Sequence, residues 1–355
     1  MKISQALLTA FGLVLTLASA SAAGITYEPK PGPGAGKHLV FLSGDEEYRS
    51  EEALPMLAKI LSQHHGFKCT VLFAEDADGT INPNNNQSLA GAEALAQADG
   101  IVMGLRFRQW PDEQMKHFVA AVQRGVPIVA LRTSTHAFRY PAESTSTYKS
   151  WSDKGPDSFG EKILGEEWIS HWGDNRRGLT HGVVEAANKT NPLLRGVGEI
   201  FGDSGVYETH PPADATILLR GEVLSAMQES APPSTARKRR RSDGQEQGMN
   251  EPMMPLAWTR EYSAASGKKV RVFTTTMGAA TDFKNESLRR LVVNAVLWTN
   301  GLEVPAQTDV RFVDPFEPTN YSFNGFRNGV KPADHALGKP VPQGNGLPVV
   351  PPPKK

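Results

Sequence analysis

The sequence predicts an α/β protein: one domain built on a parallel β-sheet flanked by helices, with irregular insertions. Three observations predict it. Short apolar runs alternate with amphipathic segments from Lys37 to Leu131, in the order β-α-β-α-β-α-β, with spacings that fit right-handed parallel crossovers. One run, Val126 to Leu131 (VPIVAL), is apolar throughout, as in a strand covered on both faces. Three of the runs end in polar clusters, at the strand ends where open α/β sheets bind their ligands.

Taken in order, residues 1–22 have the layout of a signal peptide. Lys2 gives the positive start, Ala6 to Leu17 an apolar stretch of twelve residues, and Ala18-Ser19-Ala20 or Ala20-Ser21-Ala22 a small-residue cleavage site. Twelve apolar residues fall short of a membrane span. The expectation is a periplasmic or secreted mature chain with no membrane span. Residues 23–36 read as a linker before a domain at 37–304. The linker ends PKPGPGAGK, which is no phosphate loop: Pro31 replaces a required Gly, His38 replaces Ser or Thr, and a strand follows instead of preceding it.

Lys37–Ser43 is the first strand. The helix after it runs to about His64, with Leu54, Leu57, Ala58 and Leu61 on one face. Its start has two readings: Ser50 as N-cap with Pro55 inside the helix, or a start near Leu54 with Pro55 at the first helical position. Phe67–Ala74 is the second strand, Glu75–Gly91 a polar loop, Leu89–Ala98 a short helix and Asp99–Leu105 the third strand. Pro111–Arg124 is a helix bounded by Pro at its start and Gly125 at its end, and the VPIVAL strand follows. The second half is less regular. It offers strands at Ala215–Arg220, Met254–Trp258 and Val270–Thr276, and a helix at Glu286–Thr299. An insertion about 225–252, centred on APPSTARKRRRSDGQEQG, is expected to be flexible. Residues 305–355 read as a disordered Pro/Gly-rich tail.

Lys and Arg number 38, as do Asp and Glu, so no global field favours nucleic acid or an anionic membrane. The basic run Lys238 to Arg241 is expected to be a solvated loop. The single cysteine, Cys69, permits no internal disulfide and reads as a small buried residue.

The three polar clusters converge if the strands are parallel. After the first strand come Asp45, Glu46, Glu47, Tyr48 and Arg49; after the third, Arg106 and Arg108; after the fourth, Arg132 to His136. This mix of carboxylates, guanidinium groups and hydroxyls suits a polyhydroxylated ligand, whose hydroxyls need donors and acceptors together. The candidate substrate-binding residues are Asp45, Glu46, Arg49, Arg106, Arg132, His171, His181 and Tyr207. The plainer alternative is that Arg106 and Arg132 pair with Asp45 or Glu46 to hold loops. His136 is the candidate for proton transfer, because an imidazole titrates in the useful range. Ser134 is a candidate nucleophile, although G-x-S-x-G is absent. His171, Asp174 and His181 lack the spacing of a metal site. With no G-x-G-x-x-G either, no metal and no cofactor is expected, and the partner expected is a small carbohydrate.

The segments GDEEYRSEEALPMLAKIL, LRFRQWPDEQM, ALRTSTHAF, WISHWG, NPLLRGV, PLAWTREY and FTTTMGAATDFKNESLRRLVVNAVLW resemble an exported bacterial branch of the ThuA-like (trehalose utilisation) family, over roughly Lys37 to Val304. The resemblance implies a flavodoxin-like fold, similar to class I glutamine amidotransferases. In that wider fold a nucleophilic cysteine sits at the turn after the central strand. The matching turn here, Arg132 to Thr135, has none, so amidotransferase chemistry is not expected. The resemblance further implies a role in carbohydrate utilisation, acting on a sugar or an oxidised (keto) disaccharide. A non-catalytic carbohydrate- or partner-binding module on the same fold stays open.

Overall fold

The computed structural model describes residues 23–155 and 157–344. The signal-peptide reading of residues 1–22 lies outside them. The first half contains strands β1 (Ile25–Tyr27), β2 (His38–Gly44), β3 (Lys68–Phe73), β4 (Gly100–Leu105) and β5 (Ile128–Leu131), with helices α1 (Ser50–His65) and α2 (Asp112–Arg124). The second half adds β6 (Ser170–His171), β7 (Thr180–Val184), β8 (Ile200–Gly202), β9 (Tyr207–Glu208), β10 (Thr216–Val223), β11 (Arg237–Arg239) and β12 (Glu246–Gly248). It ends with β13 (Met254–Ser263), β14 (Lys269–Thr275) and helix α3 (Glu286–Thr299).

Ten strands form one sheet in the order β1-β3-β2-β4-β5-β14-β13-β10-β7-β8. The five from β3 to β14 are parallel to one another. Alternate side chains serve opposite faces, as the pleat requires. Leu39, Phe41, Val102 and Phe273 join the apolar faces of α1 and α3, while Val40, Leu42, Ile101 and Ile128 join Met115, Phe118 and Val122 of α2. Burial on both faces explains why these strands read as continuous apolar runs. Beyond β14 the sheet turns antiparallel, through β13, β10, β7 and β8. The parallel half matches the α/β prediction; the antiparallel wing widens it into a mixed sheet.

Several local expectations change. Helix α1 begins at Ser50 and keeps Pro55 inside it, but no side chain caps it: Arg49 precedes it in the left-handed region, φ 61°. The Ser50 hydroxyl instead bonds Ser43 Oγ at 2.9 Å and accepts the Asp45 N–H at 3.1 Å. Pro111 sits one position outside α2, and Leu89–Ala98 shortens to a 3-10 turn over Ala92–Gln97.

Two segments expected to be loose are packed. The chain past Val304 crosses α1 and α3 as a strap. Lys59 Nζ donates to Asp314 (2.6 Å) and to the Ala336 and Lys339 carbonyls (3.0 Å each), and Arg289 Nε donates to the Val310 carbonyl at 3.1 Å. This corrects the expectation of a disordered tail as far as residue 344. The basic insertion folds as the β11–β12 hairpin. Lys238 Nζ donates to the His171 and Trp172 carbonyls, 3.0 Å each, and Glu208 accepts the Arg241 and Ser242 N–H groups at 2.8 and 2.9 Å. Neither segment has an apolar period. Both are held by cations reaching backbone carbonyls or by carboxylates accepting backbone N–H groups, which sequence periodicity cannot register.

Candidate functional site

Strand β2 lies between β3 and β4, so the strand order reverses between β2 and β4. Crevices for ligands form at the carboxyl ends of strands at such a point. Three loops meet there, after β2, β4 and β5. They are joined through the backbone: Phe107 N–H donates to the His136 carbonyl (3.0 Å) and Arg108 N–H to the Ala137 carbonyl (2.6 Å).

The loop after β2 uses its three carboxylates differently. Asp45 is buried and engaged, accepting the Glu47 and Tyr48 N–H groups at 2.8 and 3.1 Å and the Thr133 hydroxyl. It shapes the loop and ties it to the turn after β5, with most of its acceptor capacity used. Glu46 pairs with Arg106 and, at 2.9 Å, with Arg108. The plainer reading therefore holds for Glu46: the pair joins two loops. Glu47 is the third. Its carboxylate lies 3.8 Å from Arg106 Nε with its side chain only 4% exposed. Burial pushes it up to about 7, against the pull of Arg106 and with a further push from Asp45. A carboxyl poised there can take or give a proton at neutral pH.

Arg132 follows the last residue of β5 with φ 47°, in the turn that the fold resemblance equates with a nucleophile position. Its guanidinium is buried. One terminal nitrogen donates to the Gly205 and Thr276 carbonyls at 2.7 and 2.6 Å; the other donates to Tyr48 Oη at 3.0 Å and Asn175 Oδ1 at 3.3 Å. Its Nε has no partner among the described residues. The Tyr48 and Tyr207 rings flank the guanidinium, 4.4 and 4.1 Å from its central carbon. Gly205 is needed beneath it: a β-carbon there would lie 2.2 Å from the Gly173 carbonyl oxygen.

His136 is 3% exposed, its ring 5.0 Å from Phe107, 5.2 Å from Trp168 and 6.1 Å from Tyr207. Burial, reinforced by Arg106, Arg139 and Arg132, holds it well below the usual imidazole range. Burial followed by Arg132 and Lys238 pushes His171 down to about 3, and its Nδ1 has no partner among the described residues. Both imidazoles are therefore neutral at physiological pH. The expectation that His136 titrates in the useful range is corrected; in the loop after β2 it is Glu47 that is brought near neutral pH.

Five described non-glycine residues have positive φ: Arg49 (61°), Phe107 (51°), Arg132 (47°), Arg176 (61°) and Asn324 (56°). All five border this cluster. Arg176 stands 4.6 Å from the Tyr321 ring, which in turn lies 4.9 Å from Tyr48. Left-handed backbone costs roughly 1–2 kcal/mol per residue and persists only where the surroundings impose it.

Of the residues singled out in the sequence, Glu46, Arg106, Arg132, His136, His171 and Tyr207 come together. Asp45 and Arg49 are close but engaged in structure. Two others leave the site. Ser134 is fully buried; its hydroxyl donates to the Met103 carbonyl at 3.0 Å and accepts the Leu105 N–H at 3.3 Å, so it ties β4 to the turn and is no nucleophile. His181 lies on β7 in the antiparallel wing, between Glu199 (2.8 Å) and Glu222 (2.9 Å) and stacked on Phe201. It is thus separate from His171. Among the described residues no group of three or more His, Cys, Asp or Glu side chains could hold a metal ion. Sequence reasoning missed Glu47, Phe107 and Trp168 as site residues. Three adjacent acidic residues give no sign of which one is desolvated.

A cavity of about 590 Å³ lies across the β6–β9 ribbon, lined in part by Lys154, Glu161, Glu166, Glu167 and Arg241. On this ribbon Ser170 bonds Glu208 and His171 packs on Tyr207, so the pleat turns one pair toward the hairpin and the other toward Arg132. None of the chemistry-bearing side chains described above lines the cavity.

A family model described as ThuA, trehalose utilisation, matches residues 37–299. Among solved structures, a putative ThuA-like protein from Parabacteroides merdae is 14% identical, covering 76% of this chain and 92% of its own, with a TM-score of 0.46. Another from Bacteroides uniformis is 14% identical, with 77% and 95% covered and a TM-score of 0.47. A β-galactosidase from Bacillus circulans is 10% identical, with 75% of this chain and 31% of that chain covered and a TM-score of 0.39. No curated protein matches the chain.

Proposed function

We propose, from the premise that this chain belongs to the ThuA family of trehalose utilisation, that it is an enzyme acting on a sugar or an oxidised (keto) disaccharide in a pocket at the carboxyl ends of the parallel strands. The observation that carries the reading is Glu47, a desolvated carboxyl near pKa 7 beside Arg106, in a cluster with Arg132, two neutral imidazoles and a wall of aromatic rings. Such a set suits proton transfer next to a carbonyl. Glu47 takes the proton, and the charge that develops on the carbonyl oxygen is met by guanidinium donors already in place. His171, being neutral, offers both a donor and an acceptor to sugar hydroxyls, and His136 offers its Nε2, since its Nδ1 lies 3.2 Å from the Thr135 hydroxyl. The turn after β5 carries Arg132 and no cysteine, which supports a chemistry other than amidotransfer.

Turnover of trehalose and of keto-oxidised trehalose by the wild type and by Glu47→Gln tests this. The proposal requires turnover by the wild type and its loss in the variant while sugar binding persists. Binding by both with turnover by neither identifies a carbohydrate-binding module instead. Export is part of the same proposal and rests on residues 1–22. N-terminal sequencing of the periplasmic fraction checks it, with cleavage expected near Ser21 or Ala23.

A further inference from the structure

The strap past Val304 lies beyond the residues matched by the family model and closes one side of the cluster. Its stretch from Thr319 to Gly325 is fastened at almost every residue. Arg49 Nε donates to Thr319 Oγ1 (3.0 Å), and its terminal nitrogens donate to the Asn320 carbonyl (3.0 Å), Ser322 Oγ (3.1 Å), the Ser322 carbonyl (3.3 Å) and the Gly325 carbonyl. Glu52 accepts the Thr319 N–H at 2.7 Å and its hydroxyl at 2.6 Å. Ser322 N–H donates to the Glu47 carbonyl (3.0 Å) and Asn324 N–H to the Glu46 carbonyl (2.8 Å). These two bonds flank Phe323 and set it against the loop that carries Glu47. Tyr321 turns inward onto Tyr48, while Phe323 stays 51% exposed.

Scattered exposed hydrophobics need no explanation. Phe323 differs in its position. Its ring faces the Arg106 guanidinium at 5.2 Å, on a cation that also stacks on Phe107 at 4.4 Å, and Phe107 packs on His136 at 5.0 Å. Phe323, Arg106, Phe107 and His136 thus form one continuous line from the strap to the centre of the cluster. The ring is held by neighbouring backbone bonds and contributes little burial of its own to folding.

We propose that Phe323 is a specificity-determining residue of the site: its exposed face receives the apolar face of the second sugar ring of a disaccharide whose first ring lies over Glu47 and His136. The inference rests on the carbohydrate reading of the site. An aromatic face suits this role because a pyranose carries its C–H groups on the ring faces, while its hydroxyls remain free for Arg106 and water.

The test compares wild type, Phe323→Ala and Phe323→Tyr, with keto-oxidised trehalose as disaccharide and keto-oxidised glucose as monosaccharide. Loss of an aromatic contact predicts that Phe323→Ala raises KM for the disaccharide about tenfold, with a much smaller change for the monosaccharide and a thermal midpoint close to wild type. Phe323→Tyr restores the disaccharide KM. An unaltered disaccharide KM in Phe323→Ala, while the wild type turns the sugar over, overturns the role of Phe323 and leaves the functional reading standing. A wild type that neither turns over nor binds either sugar overturns the functional reading, and the role of Phe323 with it.

Discussion

Replacing Glu47 by Gln is expected to move activity and stability in opposite directions. Each pKa unit corresponds to about 1.4 kcal/mol. Holding this carboxyl at about 7, against roughly 4.3 in an unfolded chain, makes its ionised form cost the fold about 4 kcal/mol. The cause is desolvation first, since the side chain is 4% exposed, and the pull of Arg106 at 3.8 Å, with those of Arg132 and Tyr48, does not offset it. The folded state binds this proton more tightly than the unfolded state. Stability is therefore lost as pH rises from the unfolded value, and the loss is complete above about 7. Gln cannot ionise, so Glu47→Gln should match wild type near pH 4 and exceed it progressively up to about pH 8, by as much as ~4 kcal/mol. Over the same range kcat should fall by about 10²–10⁴, the usual worth of a positioned acid or base, and the rate limb centred near pH 7 should vanish. Denaturant titrations at pH 4, 6 and 8, alongside kcat profiles with keto-oxidised trehalose, measure both. A stability difference that does not change with pH, or a kcat within a few-fold of wild type, refutes the reasoning.

Three other variants separate structural from functional roles. Ser134→Ala should keep turnover but lose about 1–3 kcal/mol in chemical denaturation, because the Leu105 N–H and Met103 carbonyl are left buried without their partner; loss of turnover in a folded variant would restore Ser134 as a nucleophile. Arg132→Met should lose about 2–4 kcal/mol together with turnover, since the Gly205 and Thr276 carbonyls lose their donors. Arg132→Lys should recover little of either, having no planar fork to reach both sides. For His181→Gln turnover should not change. Burial works against the His181 charge, but bonds to Glu222 and Glu199 prevail and raise its pKa, so its contribution is present below about pH 6.5 and disappears as pH rises past the folded value. Solvent screening should hold that contribution below about 1 kcal/mol, visible in melts at pH 5.5 and absent at pH 8.

What could be read in the sequence depended on periodicity. The parallel strands β2 to β5 are covered on both faces and declared themselves as apolar runs, and α2 was bounded by Pro111 and Gly125. Those elements fix which loops meet, so the convergence of Asp45, Arg106 and Arg132 at one edge was legible too. The division of labour inside the loops was not. Asp45, Glu46 and Glu47 are equivalent as letters. Only the geometry shows the first engaged by N–H groups and a hydroxyl, the second by two guanidiniums, and the third left to desolvation. His136 looked like the titrating group because its ordinary pKa lies in range. Burial first, and then Arg106, Arg139 and Arg132, remove it from that range, and burial is set by the fold rather than by its letter. The antiparallel wing was missed at β7 and β8, which are short and carry the glycines Gly182 and Gly202.

The same geometry explains why the strap and the hairpin belong to the site rather than decorate it. Among the described residues, five in left-handed backbone, a buried Arg132 Nε without a partner and a desolvated Glu47 are all unfavourable to folding. They hold only if the surroundings over-determine them. For Arg49 and Asn324 the strap does so, because the positive φ of Arg49 aims its guanidinium at the strap carbonyls and Asn324 bonds back to Glu46. For the far wall the hairpin does so, with Lys238 fixing the His171 and Trp172 carbonyls. On the strap side the hold is on the loop backbone, through the Ser322 and Asn324 N–H groups on the Glu47 and Glu46 carbonyls. A segment outside the family-matched core thus holds the loop that carries Glu47, alongside the sheet that positions it.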